Sequence, residues 1–346
     1  MQKLKTIHFL TGEEVNQHEL SELLKFALAL KKERGSIEPQ VLTGKTVALI
    51  FEKPSLRTRV SFAVGVQELG GHVLDLVQAQ TKAEDPEDAI RVLQGMVHGV
   101  MLRTFAHEVL ERMVTHAKIP VINGLSNDHH PCQALADLLT LQERFGHLRG
   151  LRLAYVGDGN NVLHSLLLLA PFLGVDIHYA CPAGHQPNDE ILQRARVRAL
   201  QGGAQIRSFA NPKAAVSGVH AIYTDVWASM GFEKEAETHG EDFSGYQVNV
   251  ELLGHAAPTA IVMHCLPMLK GSEITQEIVD HPRSALFDQA ANRLHAQKAL
   301  MVGLFRSNTR DDHDAQNVQN AQKRKVHVDK THLGRSTKIA ASSKTP

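Results

Sequence analysis

Short apolar, β-branched runs alternate with helix-patterned segments, twice over, and this alternation restricts the chain to few folds. The first set of runs falls near 47–51, 73–76, 100–103 and 121–123, with helical patterns at about 88–97 and 108–116 between them. A long helix-patterned segment over 133–145 and glycines at 146 and 150 close this set. A second set begins at 151 and continues near 175–180, 205–209, 221–224 and 260–264, with a helix expected over 162–172. Strand, helix, strand in succession predicts parallel pairing. The expected class is α/β: two doubly wound parallel-sheet domains joined by long helices. Ligands of such sheets collect beyond the carboxyl ends of the strands, where the strand order reverses.

The 346 residues are 43% hydrophobic, enough for two cores. The expected division is 1–146, 147–287, a last helix over 288–305 that returns to the first domain, and a polar tail over 306–346 read as disordered. Within the tail, Lys323-Arg324-Lys325 reads as solvated charge rather than as a contact for an acidic partner. A formal net charge of zero gives no global case for nucleic acid or an acidic membrane. No apolar run reaches the length of a membrane span. The first fifteen residues resemble neither a signal peptide nor a transit peptide. Three cysteines, Cys132, Cys181 and Cys265, do not suggest a disulfide framework, so a reducing cytoplasm is expected.

One turn stands out. The β-branched run 46–50 leads into Pro54, Ser55, Arg57, Thr58 and Arg59, and Phe62, Val66 and Leu69 then recur at helical spacing until Gly70-Gly71. Ser55 is placed to cap the helix. The free N–H groups of a first helical turn, its dipole and nearby guanidinium groups together make an anion site. On composition alone, a capped surface helix with two solvated arginines is the better fit. Nearer the amino terminus, 11–35 reads as one or two amphipathic helices, with Thr11 and Glu14 at capping-box spacing.

Ser55-Leu56-Arg57-Thr58-Arg59, between strand and helix, resembles the carbamoyl-phosphate signature of the aspartate/ornithine carbamoyltransferase family. Three further segments agree in the same order: His130-Pro131-Cys132-Gln133, Asp225-Val226-Trp227-Ala228-Ser229-Met230-Gly231 and His264-Cys265-Leu266-Pro267. The similarity runs from about 8 to 305. The ornithine branch is the nearer, because the aspartate branch has proline where this chain has Cys265. The resemblance implies transfer of the carbamoyl group of carbamoyl phosphate to L-ornithine, giving L-citrulline and phosphate, in arginine biosynthesis or breakdown. It implies no cofactor and no metal, and a homotrimer in which the loop after Leu76 reaches a neighbouring site.

Such a transfer needs the leaving phosphate held, the carbonyl oxygen stabilised and an uncharged amine aimed at the carbon. By resemblance, Ser55, Leu56, Arg57, Thr58, Arg103 and Arg293 hold the phosphate, with Gln80 assigned loosely from the intersubunit loop. His130 faces the carbonyl oxygen, Gln133 and the Leu266 carbonyl face the carbamoyl amide, and Cys265 lies beside the reacting amine and the carbamoyl group. Asn161, Asp225, Ser229 and Met230 hold ornithine. The residues expected to carry catalysis are Arg57, Arg103, His130 and Cys265.

Two other readings are weaker. His129, His130 and Cys132, with His264-Cys265 elsewhere, lack the spacing of a structural zinc site. Gly157-Asp158-Gly159-Asn160-Asn161 suggests a dinucleotide turn, but Val162 replaces the third glycine and the next strand ends at Ala180-Cys181 without an acid. The chain also departs from the family pattern. Ala63 and Ala291 replace acids, Gln289 replaces a glutamate, Phe232 replaces a glutamine, and Met268-Leu269-Lys270 replaces Ala-His-Arg. These departures leave open a different amine, or a weakly active or inactive homologue acting as a binding protein.

Overall fold

The computed structural model describes residues 1–36, 39–77, 84–227 and 242–306. Four strands, β1 (Thr46–Phe51), β2 (His72–Val77), β3 (Gly99–Arg103) and β4 (Val121–Leu125), form a parallel sheet in the order β2-β1-β3-β4. Five more, β5 (Arg152–Val156), β6 (Asp176–Ala180), β7 (Ile206–Ser208), β8 (Ala221–Thr224) and β9 (Ile261–His264), form a second parallel sheet in the order β7-β6-β5-β8-β9. The central strands are buried along their length, which is why they read as continuous apolar runs rather than as alternating ones. Strand order reverses between β1 and β3 in the first sheet and between β5 and β8 in the second. The class expected from the sequence, α/β with two parallel sheets, is the one observed.

The helices that matter to the site are α1 (Gln17–Lys32), α2 (Leu56–Glu68), α3 (Pro86–Leu93), α4 (His107–Val114), α5 (Pro131–Phe145), α6 (Asn161–Leu169), α7 (Asp189–Gly202) and a closing helix, Leu286–Phe305. Three local expectations need correction. The first capping box is not Thr11/Glu14: Glu14 instead takes the N–H groups of Leu10, Thr11 and Gly12 in a turn, and α1 starts later, under an Asn16/Glu19 box. The helix expected over 162–172 stops at Leu169, because Pro171 opens a separate 3₁₀ turn that ends on left-handed Gly174. Helix α7 had no counterpart in the sequence reading. Charged residues interrupt its apolar ones, and only a narrow stripe including Ile191, Leu192, Ala195 and Ala199 is buried.

The closing helix lies against α1, α2 and α5. Gly65 permits its approach to α2: a Cβ there would lie 2.9 Å from Met301 Cε and 3.3 Å from Lys298 Cγ. Lys298, fully buried, pairs with Glu68 of α2 at 2.6 Å. Lys31 of α1 donates to Asn292 Oδ1 at 2.8 Å, and Arg144 of α5 pairs with Asp288. These contacts hold the carboxyl-terminal halves of α2 and α5 to the closing helix, and Arg293 of that helix reaches their amino ends at Thr58 and Gln133.

Candidate active site

Ser55 is in extended conformation (φ −160°), and its Oγ accepts the Thr58 N–H at 3.3 Å, so α2 is capped as its sequence predicts. No acid lies in the first turn of α2, so its positive end has no local counter-charge. Arg57, Arg103 and Arg293 gather round it. Arg103 ends β3 and is 4% exposed; Arg293 comes from the closing helix and is 2% exposed. Arg293 Nη1 donates to Gln133 Oε1 at 2.7 Å and Nη2 to Thr58 Oγ1 at 3.1 Å, both neutral acceptors. Burial pushes the Arg103 guanidinium down to about 10, helped by the charges of Arg293 and Arg57. Burial lowers Arg57 and Arg293 as well. Three guanidinium groups beside a helix amino terminus, two of them lowered by their arginine neighbours, suit a multiply charged anion.

His130 opens α5, with Pro131 at the first helical position. Its backbone N–H donates to Ser165 Oγ at 2.7 Å, and its ring Nδ1 has no hydrogen-bond partner among the described residues. Burial, and then the charges of Arg293, Arg103 and Arg57, hold the imidazole well below its ordinary value, so it is neutral. A neutral imidazole can still donate one N–H to an oxyanion.

Across the cleft, Asp225 follows β8 and Cys265 follows β9. Cys265 Sγ donates to Asp225 Oδ1 at 2.9 Å, and Asn160 Nδ2 donates to Asp225 Oδ2 at 2.8 Å. Asn161 donates to the Ser126 carbonyl at 2.6 Å, tying α6 to the segment after β4. Leu266 adopts φ 58°, a left-handed conformation that costs about 1–2 kcal/mol in a non-glycine residue. Its N–H donates to His264 Nδ1 at 2.9 Å. His264 Nε2 therefore carries the proton that faces Glu273 Oε1 at 3.1 Å, and the same oxygen takes the Leu269 N–H at 2.6 Å. The turn after β9 is thus folded around a fully buried glutamate.

One cavity of about 660 Å³ joins these parts. Ser55, Leu56, Arg57, Thr58, Arg103, His130, Asn161, Asp225, Cys265, Leu266 and Arg293 all line it. Gln133 does not. Its amide donates to Asp137 Oδ1 at 2.8 Å and accepts from Arg293, so it lies behind the cavity wall. Gln80, Ser229 and Met230, and the departure at Phe232, lie outside the described residues. The sequence reading did not single out Lys53, which lines the cavity, donates to Asn127 Oδ1 at 2.7 Å and sits 4.0 Å over the Phe105 ring. Nor did it find Glu273, which carries no local motif. Met268 and Leu269 border the cavity where the family pattern has Ala-His.

For a metal, Asp225, His264 and Cys265 bring ligand atoms within 4.8 Å of one another. Those atoms already serve each other and their neighbours: the thiol donates to Asp225, and both ring nitrogens of His264 are engaged. At His129, His130 and Cys132, where the sequence spacing already argued against zinc, Cys132 Sγ turns to the Asn123 carbonyl at 3.4 Å.

An anion turn and a thiol–carboxylate pair face each other at the carboxyl ends of two parallel sheets, the arrangement of an enzyme that brings an anionic substrate against a second, polar one. The profile described as "Aspartate/ornithine carbamoyltransferase, carbamoyl-P binding domain" matches residues 7–143, and that described as "Aspartate/ornithine carbamoyltransferase, Asp/Orn binding domain" matches 149–304. The chain belongs to the aspartate/ornithine carbamoyltransferase family. It is 48% identical to an ornithine carbamoyltransferase of Bacillus cereus over 308 residues, 88% of this chain and 96% of the relative. Its fold is similar to the crystal structure of ornithine carbamoyltransferase from Gloeobacter violaceus, with a TM-score of 0.80 and 43% identity over 88% of this chain and all of that one. It is also similar to the ornithine carbamoyltransferase from Pyrococcus furiosus, with a TM-score of 0.82 and 41% identity over 88% of this chain and 97% of that one.

Proposed function

We propose that this cavity transfers the carbamoyl group of carbamoyl phosphate to the δ-amino group of L-ornithine, releasing L-citrulline and phosphate. The observation that carries the reading is the convergence of Arg57, Arg103 and Arg293 on the capped amino terminus of α2, opposite the Cys265–Asp225 pair. The guanidinium groups hold the phosphate and stabilise it as it leaves. His130 donates to the carbonyl oxygen as the amine adds and charge builds there. The uncharged δ-amine forms the new C–N bond, the tetrahedral adduct collapses as the C–O bond to phosphate breaks, and the surplus proton of the amine leaves on the departing phosphate. Asp225 and Asn161 orient the amino acid, with Ser229 and Met230 as further ornithine contacts. The Leu266 carbonyl accepts from the carbamoyl amide.

On this reading residues 1–146 serve carbamoyl phosphate, 147–287 serve ornithine, and 288–305 supply Arg293 from behind. A homotrimer fits one surface feature. Leu56 (74% exposed) and Val60 (51%) lie one turn apart on α2, and Leu74 (41%) lies on the edge strand β2, just before the loop 78–83. A second copy would cover this apolar face. Among the described residues no helix is long and apolar enough to cross a membrane. Three buried free cysteines support a reducing, cytoplasmic setting.

The test is citrulline formation by the purified chain, with aspartate and putrescine assayed beside ornithine. Ornithine is expected to give the highest kcat/KM. Faster turnover of putrescine would reassign the amine, and no turnover with any amine would leave a binding protein in the family fold.

A further inference from the structure

A buried carboxylate stands between the two ends of the cavity without lining it. Asp137 projects from α5 and has no solvent exposure. Its Oδ1 accepts from two side-chain amides, Gln133 Nε2 at 2.8 Å and Gln289 Nε2 at 2.6 Å. Each amide passes the contact on in the same sense. Gln133 Oε1 accepts from Arg293 Nη1 at 2.7 Å, and Gln289 Oε1 accepts from the His264 N–H at 2.8 Å. Arg293 belongs to the anion end of the cavity, while His264 leads directly into Cys265 and Leu266 at the other end. An amide that gives its N–H to a carboxylate and its oxygen to a donor has one orientation. Turned over, it would set oxygen against oxygen and N–H against N–H.

We propose that Asp137 is a positioning residue for carbamoyl transfer, fixing Arg293 through Gln133 and the turn after His264 through Gln289, with its negative charge as the common anchor. The proposal rests on the reading that these two ends receive carbamoyl phosphate and the amine. It gives Gln133 a role that the family resemblance did not: its amide faces the protein, and its effect on substrate runs through Arg293.

The charge on the anchor is conditional. Burial raises the Asp137 carboxyl to about 7; Gln133, Gln289 and Tyr223, through hydrogen bonds, and Arg293, through its charge, oppose that rise. The groups facing it are Gln133 on its own helix, Gln289 and Arg293 on the closing helix, Tyr223 on β8 and the Cys265 thiol beyond β9. Above neutrality both amides find a full negative charge. Below it the protonated carboxyl holds them weakly. Gln289 is also one of the departures from the family pattern, which has a glutamate there. A glutamate would set acid against acid, with one proton shared between them.

The experiment compares wild type with Asp137→Asn and Gln289→Glu, reading kcat/KM for carbamoyl phosphate and for ornithine from pH 5.5 to 9. Asp137→Asn is expected to lower both by roughly tenfold, the scale of a lost charged acceptor, and to abolish a wild-type step near neutrality. Gln289→Glu is expected to move that step to higher pH. A wild-type pH profile in either variant overturns the proposal, and Gln289→Glu decides alone if Asp137→Asn does not fold. Should wild type turn over no amine, the activity reading fails by itself. Calorimetric binding of inorganic phosphate over the same range then tests the relay, because phosphate's own titration is common to all three proteins. Identical pH dependence in wild type and both variants overturns it; a step altered in the variants supports it.

Discussion

The thiol of Cys265 donates a hydrogen bond to the Asp225 carboxylate at 2.9 Å, joining the ends of β8 and β9 at the cavity wall. Burial, and then the Asp225 charge, hold that thiol well above its ordinary range, so it is a neutral donor and not a thiolate nucleophile.

Replacement of Cys265 therefore separates donor from nucleophile. Cys265→Ser keeps an O–H for Asp225 and is expected to retain activity within a few-fold. Cys265→Ala leaves the carboxylate one partner short and is expected to raise the ornithine KM roughly tenfold, the scale of a lost hydrogen bond to a charged group. The KM for carbamoyl phosphate is expected to change little. Steady-state kinetics with each substrate varied check this, and an effect on carbamoyl phosphate alone contradicts the assignment.

Asp137 makes a prediction about stability opposite in direction to its effect on activity. Its folded value, about 7, lies above the ordinary carboxylate value of 3.8, so the folded state binds that proton more tightly than the unfolded state. The buried charge therefore destabilises the fold above about pH 7. The penalty shrinks as pH falls from there toward 4. Asp137→Asn is expected to be more stable than wild type at pH 8, by up to about a few kcal/mol on the scale of such a shift, and to match it near pH 4. Thermal melts at the two pH values decide. A variant equally destabilised at both would mean that the carboxylate is structural.

The apolar face of α2 and β2 makes a prediction about assembly. Arg59 pairs with Asp75 at 2.7 Å beside it, bracing the helix against the edge strand. Val60→Glu places a charge at the centre of the proposed contact between copies. By light scattering, wild type is expected to be a trimer and the variant a smaller species, with activity falling in step. A fully active wild-type monomer contradicts the shared-site reading.

The parts of this molecule legible in its sequence are those with local causes. The strands show as β-branched runs because both faces of a parallel sheet are buried. The Ser55 turn shows because cap, proline and arginines are neighbours in the chain. The parts that stayed hidden depend on partners far away in sequence. Gln133 and Arg293 are 160 residues apart, and nothing near either one says that the glutamine amide turns from the cavity to Asp137. Lys53 carries no local signal, because its partners Asn127 and Phe105 come from distant parts of the chain. Glu273 organises the turn after β9 from a loop with no motif of its own. The start of the first helix is hidden for a different reason. Thr11/Glu14 and Asn16/Glu19 have the same spacing, and spacing alone cannot say which pair meets a helix.

If the arginines gathered at the start of α2 carry carbamoyl transfer, kcat of Arg57→Ala with ornithine and saturating carbamoyl phosphate must show it. Arg57 is half-buried in the cavity, where a charge that meets the departing phosphate contributes mainly in the transition state. We expect kcat to fall roughly a hundredfold or more, as for other lost charge-stabilising donors. Lysine at the same position should recover little, since a point charge cannot reproduce the planar fork. A correctly assembled Arg57→Ala variant that keeps wild-type kcat would contradict the account.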